Sequence, residues 1–255
     1  IAKSCGIFVV RTYQELSPTF ASRAISTAGD QRVSSTKAPM TDKGTNVTGV
    51  ALVTGAAGFV GRNTVVSLLQ CGYHVRAIDL PSVDLSSALG GVSKHSDLSS
   101  ISRDILSIDA TDGVFKGVDF IIHCAGMVDY RRATELPHKC METNLMTLIR
   151  VLEGARLHGV RKVVNMSSSA VYGSAEGRIP EDQPLIPINP YGLSKVLGEN
   201  AALHWDRVFG VPTISLRLFN TYGQDSSFGL IKKGLELKGK SQALHITGDG
   251  SQKRD

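Results

Sequence analysis

An apolar run followed at once by a glycine-rich loop constrains this chain more than any other feature. The run is Val50–Val53, and the loop Thr54–Gly61 carries three glycines with the spacing G-x-x-G-x-x-G. Apolar residues then recur at helical spacing as far as Gln70, and a second apolar run begins at His74. A strand, a tight turn and a helix in this order predict the start of a parallel α/β sheet whose first turn binds the phosphates of a dinucleotide.

Each glycine of the loop has a separate predicted role. Gly55 permits the tight turn, Gly58 lets the backbone approach a pyrophosphate, and Gly61 lets the helix pack closely on the strand. Asp79 lies 24 residues after Gly55, at the end of the second strand, where a carboxylate can accept hydrogen bonds from ribose hydroxyls. It would repel a 2′-phosphate, and Leu80–Val83 offers no basic residue to receive one. NAD is therefore predicted rather than NADP, with a plain turn role for Asp79 as the alternative.

The rest of the chain alternates apolar strands with amphipathic helices, which predicts a Rossmann-type, doubly wound parallel sheet of the α/β class. Five strands are predicted, over Val50–Val53, His74–Ile78, Val118–His123, Arg161–Met166 and Thr213–Leu218. Three helices are predicted, over Gly61–Gln70, Asn144–His158 and Tyr191–Phe209. The Ser- and Gly-rich stretch Pro81–Ser102 is expected to be a surface connection.

Three segments are expected along the chain. Residues 1–48 are rich in Ser, Thr and basic residues and are predicted to be an extension, either disordered or a transit peptide. Residues 49–218 form the predicted NAD-binding domain. Residues 219–255 begin a smaller substrate-binding domain that is expected to be incomplete. A cytoplasmic protein is predicted, with an organelle as the alternative if the first segment is a transit peptide.

Composition excludes several classes of function. The net charge is +5, but six basic and only three acidic residues fall in the first 49, and the other basic residues are scattered, so no nucleic-acid partner is predicted. No apolar run approaches the roughly 18 residues of a transmembrane helix, so no membrane partner is predicted. The four cysteines show neither a disulfide framework nor the spacing of metal ligands, and no metal site is expected.

A second motif carries acid–base chemistry. Tyr191 and Lys195 are four residues apart, hence on one helical face, where a lysine ammonium favours the phenolate form of a nearby tyrosine. Ser167–Ser169 follow a predicted strand, and a serine there can hydrogen-bond a substrate hydroxyl or carbonyl. Alone, the Tyr–Lys pair is more often a solvated surface pair and the serines are often turn residues. Their order behind a dinucleotide loop favours a redox active site.

Residues from about Val50 to Asp255 resemble the extended short-chain dehydrogenases, specifically the NAD-dependent epimerase/dehydratase family acting on nucleotide sugars. Five motifs carry the resemblance, in the order in which that family has them: the glycine loop, the acid of the second strand, Ser-Ser-Ser-Ala-Val-Tyr-Gly, Tyr-x-x-x-Lys and Gly-Asp-Gly-Ser-x-x-Arg-Asp.

The resemblance implies a set of site residues. The implied cofactor-binding residues are Gly55, Gly58, Phe59, Val60, Gly61, Asp79, Asp109, Ala110, Cys124, Ala125, Gly126, Asn144, Tyr191, Lys195 and Phe219. The implied catalytic residues are Ser168, Tyr191 and Lys195, and the implied substrate-binding residues are Ser168, Asn220 and Arg254. It also implies a homodimer that pairs the helices Asn144–His158 and Tyr191–Phe209.

The expected activity is epimerisation of a nucleotide sugar, with a UDP-hexose favoured, by transient oxidation at C4. Dehydratases of this family carry an acidic residue at the position of Ala170, so dehydration is not expected. Three alternatives stay open: a UDP-glucuronate decarboxylase, an NAD(P)-dependent carbonyl reductase or dehydrogenase, and a non-catalytic dinucleotide-binding protein.

Overall fold

The computed structural model describes residues 49–175, 177–223, 226 and 230–239. The predicted extension over residues 1–48 lies outside the described residues, as does Arg254.

Six parallel strands form one sheet within the described residues, in the order β3-β2-β1-β4-β5-β6. The strands are β1 Val50–Thr54, β2 His74–Asp79, β3 Leu98–Ser102, β4 Phe120–His123, β5 Lys162–Ser168 and β6 Thr213–Leu218. The chain leaves β3 on one side and resumes at β4 next to β1, so the strand order reverses between β1 and β4. This order confirms the predicted doubly wound Rossmann sheet.

Helices cover both faces of the sheet. They are α1 Phe59–Gln70, α2 Leu85–Leu89, α3 Tyr130–Glu135, α4 Pro137–Met141, α5 Thr147–His158, α6 Pro190–Phe209 and α7 Leu230–Gly239. Shorter turns of 3-10 helix lie at Gly90–Val92, Ile105–Ser107, Gly113–Phe115 and Ser169–Tyr172, and a π-helical turn, Glu142–Met146, runs into α5.

Two apolar cores result, one on each face of the sheet. Alternate residues of β1 serve both, because Leu52 belongs to one core and its neighbours Ala51 and Val53 to the other. All three side chains are fully buried. A strand buried on both faces needs apolar residues at every position, which explains why the first strand appears in the sequence as an unbroken apolar run.

The prediction that Pro81–Ser102 is only a surface connection was wrong. The segment contains α2, which begins at the Asp84 cap, and the strand β3. β3 has the sequence Leu-Ser-Ser-Ile-Ser and pairs only with β2, at the edge of the sheet. An edge strand exposes much of its surface and can be mostly polar, so it lacks the apolar signal that marked the central strands. The helices α3 and α4 were also not predicted.

Candidate active site

The carboxyl ends of β1, β4, β5 and β6 meet at one edge of the sheet, beside the point where the strand order reverses. Ligands of open α/β sheets bind at such an edge. The glycine-rich loop follows β1, and Ser168 is the last residue of β5. The fold therefore brings the two motifs of the sequence to the same edge.

Two of the three loop glycines are required by the protein itself. Gly55 has a positive φ of 64°, and a Cβ there would lie 2.6 Å from the nitrogen of Ala125. A Cβ on Gly61 would lie 2.1 Å from the carbonyl oxygen of Gly55. Neither contact is sterically allowed, so the turn and the close packing of α1 depend on glycine at both positions.

Gly58 is different, because little in the protein excludes a side chain there. Its φ is −64°, which any residue adopts, and a Cβ would meet only the Gly55 carbonyl oxygen, at 3.3 Å. Gly58 is the N-cap residue of α1, and no side chain there accepts a hydrogen bond from the amides of the first turn. The amide groups of the first turn, which includes Phe59 and Val60, are thus available to an anion. This loop fits the pyrophosphate of a dinucleotide.

Asp79 bonds two backbone amides at the end of β2. Its Oδ2 accepts from Ala57 in the glycine loop and its Oδ1 from Leu80, both at 2.8 Å. A carboxylate has about four acceptor sites, so two remain for ribose hydroxyls. Asp79 therefore has the turn role, and its contact with the ribose stays a prediction.

Asp109 and Ala110, which the family resemblance places beside the adenine of the cofactor, follow β3 along the chain. The exposed Asp109 accepts hydrogen bonds from the amide and the hydroxyl of Thr111 at 2.8 and 2.7 Å, and these bonds lower its pKa. Ala110, beside it, is half-buried. This carboxylate is occupied in shaping the local turn, and its position beside an adenine stays a prediction.

The segment after β4 lies directly against the glycine loop. Thr54 binds it twice, since its carbonyl accepts from the amide of Cys124 and its hydroxyl from the amide of Ala125. A Cβ on Gly126 would lie 3.0 Å from Oδ1 of Asn144 and 3.6 Å from Nζ of Lys195. Glycine at 126 thus lets the backbone pass close to the lysine.

Cys124 is not suited to act as a nucleophile. Burial raises the pKa of its thiol to about 12, because the charged thiolate is poorly solvated there, and the ammonium of Lys195 offsets only part of that rise. Cys124 directly follows β4, and its contact with the cofactor stays a prediction.

Asn144 uses its polar atoms on protein partners. Its Oδ1 accepts from the amide of Met127 at 2.6 Å, and its Nδ2 donates to the Met127 carbonyl and to the hydroxyl of Ser194, at 3.1 and 2.9 Å. Cys140 Sγ lies 3.6 Å from the same nitrogen. Asn144 therefore joins the segment after β4 to the helix that carries Tyr191, and sequence analysis had no signal for Ser194.

Ser168, Tyr191 and Lys195 form one buried cluster. Their residues are 7%, 6% and 8% exposed, and the Ser168 side chain lies near enough to Tyr191 to lower the pKa of its phenol. Nζ of Lys195 donates to the carbonyl of Met166 at 2.8 Å and lies 5.8 Å from the centre of the Tyr191 ring. The fold brings together the three residues predicted to be catalytic.

The pKa values within this cluster correct one expectation from the sequence. Lys195 was expected to lower the pKa of Tyr191 together with the positive nicotinamide ring of the cofactor. In the protein itself, burial raises the pKa of that phenol, and only the nearby Ser168 side chain acts downward. Burial also lowers the pKa of Lys195 to about 8. Desolvation thus outweighs the charge of the lysine in the protein itself, and forming the phenolate near neutral pH requires a further positive charge.

Beyond β6 the structure describes only part of the predicted substrate site. Phe219 and Asn220 directly follow β6, and the Phe219 side chain is exposed. Both roles stay predictions. Among the described residues, no His, Cys, Asp or Glu cluster has the geometry of a metal site. None of the described helices has the length and apolar character needed to cross a bilayer.

A parallel sheet with a glycine loop after its first strand and a buried Ser–Tyr–Lys cluster after its fifth defines the class of short-chain dehydrogenases in its extended form. Residues 51–255 match the family described as "NAD dependent epimerase/dehydratase family". The chain belongs to this family, whose dependence on NAD confirms the predicted cofactor.

Comparison with individual proteins supports the same family. The chain is 34% identical over 216 residues to the uncharacterized UDP-glucose epimerase YtcB of Bacillus subtilis, covering 80% of this chain and 67% of that protein. It is also 33% identical over 178 residues to the dTDP-glucose 4,6-dehydratase of Streptomyces antibioticus, covering 68% of this chain and 53% of that protein.

A solved structure shows the same fold. The UDP-glucuronic acid 4-epimerase of Bacillus cereus, in complex with UDP-glucuronic acid and NAD, superimposes with a TM-score of 0.73 at 30% identity, covering 81% of this chain and 68% of that one. These relatives include both epimerases and a dehydratase, so the family alone does not fix the reaction.

Proposed function

We propose that this protein is a nucleotide-sugar epimerase that inverts C4 of a UDP-hexose. The observation that carries the proposal is the buried cluster of Ser168, Tyr191 and Lys195 beside a glycine loop that fits a dinucleotide. Such a cluster can remove a proton from a sugar hydroxyl while the cofactor accepts hydrogen from the same carbon. The similarity to UDP-sugar epimerases supports the choice of substrate class.

Each residue of the cluster has a distinct task in this proposal. When bound, NAD supplies the reversible acceptor of a hydride. Tyr191 takes the proton of the C4 hydroxyl as its phenolate, and later returns a proton to the same oxygen. Ser168, whose side chain lies near Tyr191, holds the sugar oxygen beside the phenol. Lys195 holds the nicotinamide ribose and keeps positive charge near the phenol.

Ala170 favours epimerisation over dehydration. It lies in the turn after Ser168, and its amide donates to the Ser168 hydroxyl at 3.2 Å. Its methyl group can neither protonate nor expel a leaving hydroxyl, whereas an acidic side chain at this position could. Similarity to a dehydratase therefore does not make dehydration the expected reaction of this protein.

The test is a panel of sugar nucleotides given to the purified full-length protein without added reductant. UDP-glucose, UDP-galactose, UDP-glucuronate and dTDP-glucose are incubated separately, and products are separated by chromatography. Interconversion of the two hexoses supports the proposal. Conversion of UDP-glucuronate to its 4-epimer would show a C4 epimerase whose substrate is a UDP-hexuronate instead of a UDP-hexose. Formation of UDP-xylose would identify a decarboxylase, and formation of a 4-keto-6-deoxy sugar would identify a dehydratase. Either of these two products overturns the proposal.

We also propose a homodimer that pairs α5 with α6. α6 exposes the large apolar side chains Leu193, Leu197, Leu203, Val208 and Phe209, and α5, which packs beside it, exposes Leu157. Exposed apolar side chains on neighbouring helices are typical of a protein–protein contact. Sedimentation of the wild type and of Leu203→Glu tests the proposal, since the charged variant is expected to sediment as a monomer.

The cytosol is the proposed compartment.

A further inference from the structure

Two consecutive residues of β5 each bond a residue on one face of α6. The carbonyl of Met166 accepts from Nζ of Lys195, and the hydroxyl of Ser167 donates to the carboxylate of Glu199. The next residue, Ser168, lies near enough to Tyr191 to lower the pKa of its phenol. The three helix residues are spaced by four, so they lie one above another along α6. The strand that carries one catalytic residue is thus bound at two successive points to the helix that carries the other two.

The pair of Ser167 and Glu199 is supported by an arginine from the next strand. The register of β5 and β6 places Arg217 directly beside Ser167. Nε of Arg217 bonds both carboxylate oxygens of Glu199, at 3.0 and 3.2 Å, and Nη2 bonds Oε2 at 2.8 Å. The two side chains are only 23% and 10% exposed. A two-pronged ion pair this well buried fixes direction as well as distance.

The remaining nitrogen of Arg217 reaches two segments that flank the site. Nη1 donates to the hydroxyl of Tyr172 at 2.8 Å and to the carbonyl of Glu181 at 2.6 Å. Tyr172 ends the turn that follows Ser168, and Glu181 lies in the connection that leads to α6. One guanidinium therefore holds the turn after the catalytic serine and the approach to the catalytic helix.

We propose that Glu199 and Arg217 are positioning residues that hold Ser168 against the hydroxyl of Tyr191. This inference rests on the proposed function of the Ser168–Tyr191–Lys195 cluster. Their bonds run to Ser167, Tyr172 and Glu181, so they act through the placement of their neighbours. Because proton transfer depends steeply on the distance between donor and acceptor, a small displacement of β5 against α6 lowers the rate strongly.

Ser167→Ala is the sharpest test, since it removes one hydroxyl and leaves the ion pair of Glu199 and Arg217 in place. We expect kcat for sugar-nucleotide conversion to fall about 10-fold, while KM changes less than about twofold. Glu199→Gln and Arg217→Met are expected to lower kcat more strongly, by about 100-fold relative to wild type. Arg217→Lys keeps the charge and is expected to retain more activity than Arg217→Met. Rates are compared at temperatures where thermal melts show each variant folded.

Ionisation of Tyr191 gives a readout that a merely structural role would not change. The Ser168 hydroxyl near Tyr191 favours the phenolate, so its displacement raises the pH at which tyrosinate forms. The titratable groups that face Tyr191 are Lys195 on α6, Tyr130 on α3 and Cys140 on α4, and none of the variants alters them. The ultraviolet difference spectrum of each NAD-loaded protein against its Tyr191→Phe counterpart isolates this phenol.

A matched control removes an arginine from an ion pair at the opposite edge of the sheet. Arg161 pairs with Asp119 at 3.8 Å, beside the starts of β4 and β5. Arg161→Met is expected to leave both kcat and the tyrosinate titration at wild-type values. The inference is overturned if folded Ser167→Ala and Glu199→Gln keep wild-type kcat and titration. Failure of the proposed function looks different: wild type then converts no UDP-sugar, while its titration still responds to Ser167→Ala.

Discussion

The glycine loop and the Ser168–Tyr191–Lys195 cluster lie at the same edge of the sheet, but they are held in place by different kinds of contact. The loop depends on space: Gly55 and Gly61 occupy positions where a Cβ would overlap backbone atoms. The cluster depends on side-chain bonds between distant parts of the chain, such as that from Lys195 to Met166. A motif that depends on local backbone geometry can be predicted from the sequence, whereas one that depends on tertiary hydrogen bonds can be predicted only in part.

The largest effect is expected where the loop has no spare space. Gly61→Ala puts a methyl group 2.1 Å from the Gly55 carbonyl oxygen, so α1 must move away from β1. We expect the free energy of unfolding to fall by about 3 kcal/mol. Urea denaturation of wild type and variant measures this loss.

Gly58→Ala is the matched control for that substitution. Its Cβ meets only one atom, at 3.3 Å, so the free energy of unfolding should change by less than about 1 kcal/mol. NAD affinity should fall about 10-fold or more, because the methyl group occupies the approach to the loop. Equal destabilisation by the two alanines would show that the loop glycines serve packing alone.

In the cluster, the largest effect is expected from the phenol. Tyr191→Phe removes the group that exchanges the proton with the sugar, and the rate should fall on the order of 100-fold or more. Initial rates with the substrate found in the panel measure it. Tyr73→Phe, at the opposite end of the sheet, serves as the control and should keep the wild-type rate. Near-wild-type turnover of Tyr191→Phe would remove Tyr191 from its proposed role.

The same contrast explains which features the sequence alone could predict. Strand β1 and the glycine loop are formed by one continuous stretch of sequence, and both lie where the sequence predicts them. The pair Tyr191 and Lys195 was also found, because four-residue spacing places both on one helical face. Glu199 continues that spacing, and this was the one available signal for it.

Other features depend on contacts that no spacing reveals. Arg217 meets Glu199 because β6 pairs with β5 in one particular register. Burial, which sets the direction of the Tyr191 and Lys195 pKa shifts, depends on helices α3 and α4 that were not predicted. The edge strand β3 was missed because its polar residues resemble those of a loop.

His123 joins the end of β1, below the glycine loop, to α5, and it makes the stability of the protein depend on pH. Its ring bonds the Thr54 hydroxyl below the glycine loop at 2.8 Å and the Thr147 hydroxyl on α5 at 3.3 Å. Burial, together with the charge of Lys195, lowers its pKa to about 3 from an ordinary 6.5. The folded protein therefore keeps this ring neutral while the unfolded chain binds a proton below pH 6.5, so stability falls as the pH drops through that window.

The expected loss is about 2 kcal/mol between pH 6.5 and pH 5, above the range in which most carboxylates titrate. Urea denaturation at a series of pH values measures it. In His123→Gln, the free energy of unfolding should depend less steeply on pH between pH 6.5 and pH 5, because the contribution of the ring is removed. An unchanged slope in the variant would mean that the ring is protonated in the folded protein.

The smallest effect is expected from a single hydroxyl that joins the cluster to the segment after β4. Ser194 donates to the carbonyl of Tyr191 at 2.7 Å and accepts from Nδ2 of Asn144 at 2.9 Å. Ser194→Ala removes both bonds, and with them a weak contact from Sγ of Cys140 at 3.8 Å, but it leaves Asn144 bonded to Met127. We therefore expect a loss of about 1 kcal/mol in unfolding free energy. Ser67→Ala on α1 makes the same change where the hydroxyl bonds only the local carbonyl of Asn63. Alanine favours helices, so that control should be neutral or slightly stabilising. Equal values for the two variants would mean that the bond between Ser194 and Asn144 adds nothing, and that the cluster is held by packing as the glycine loop is.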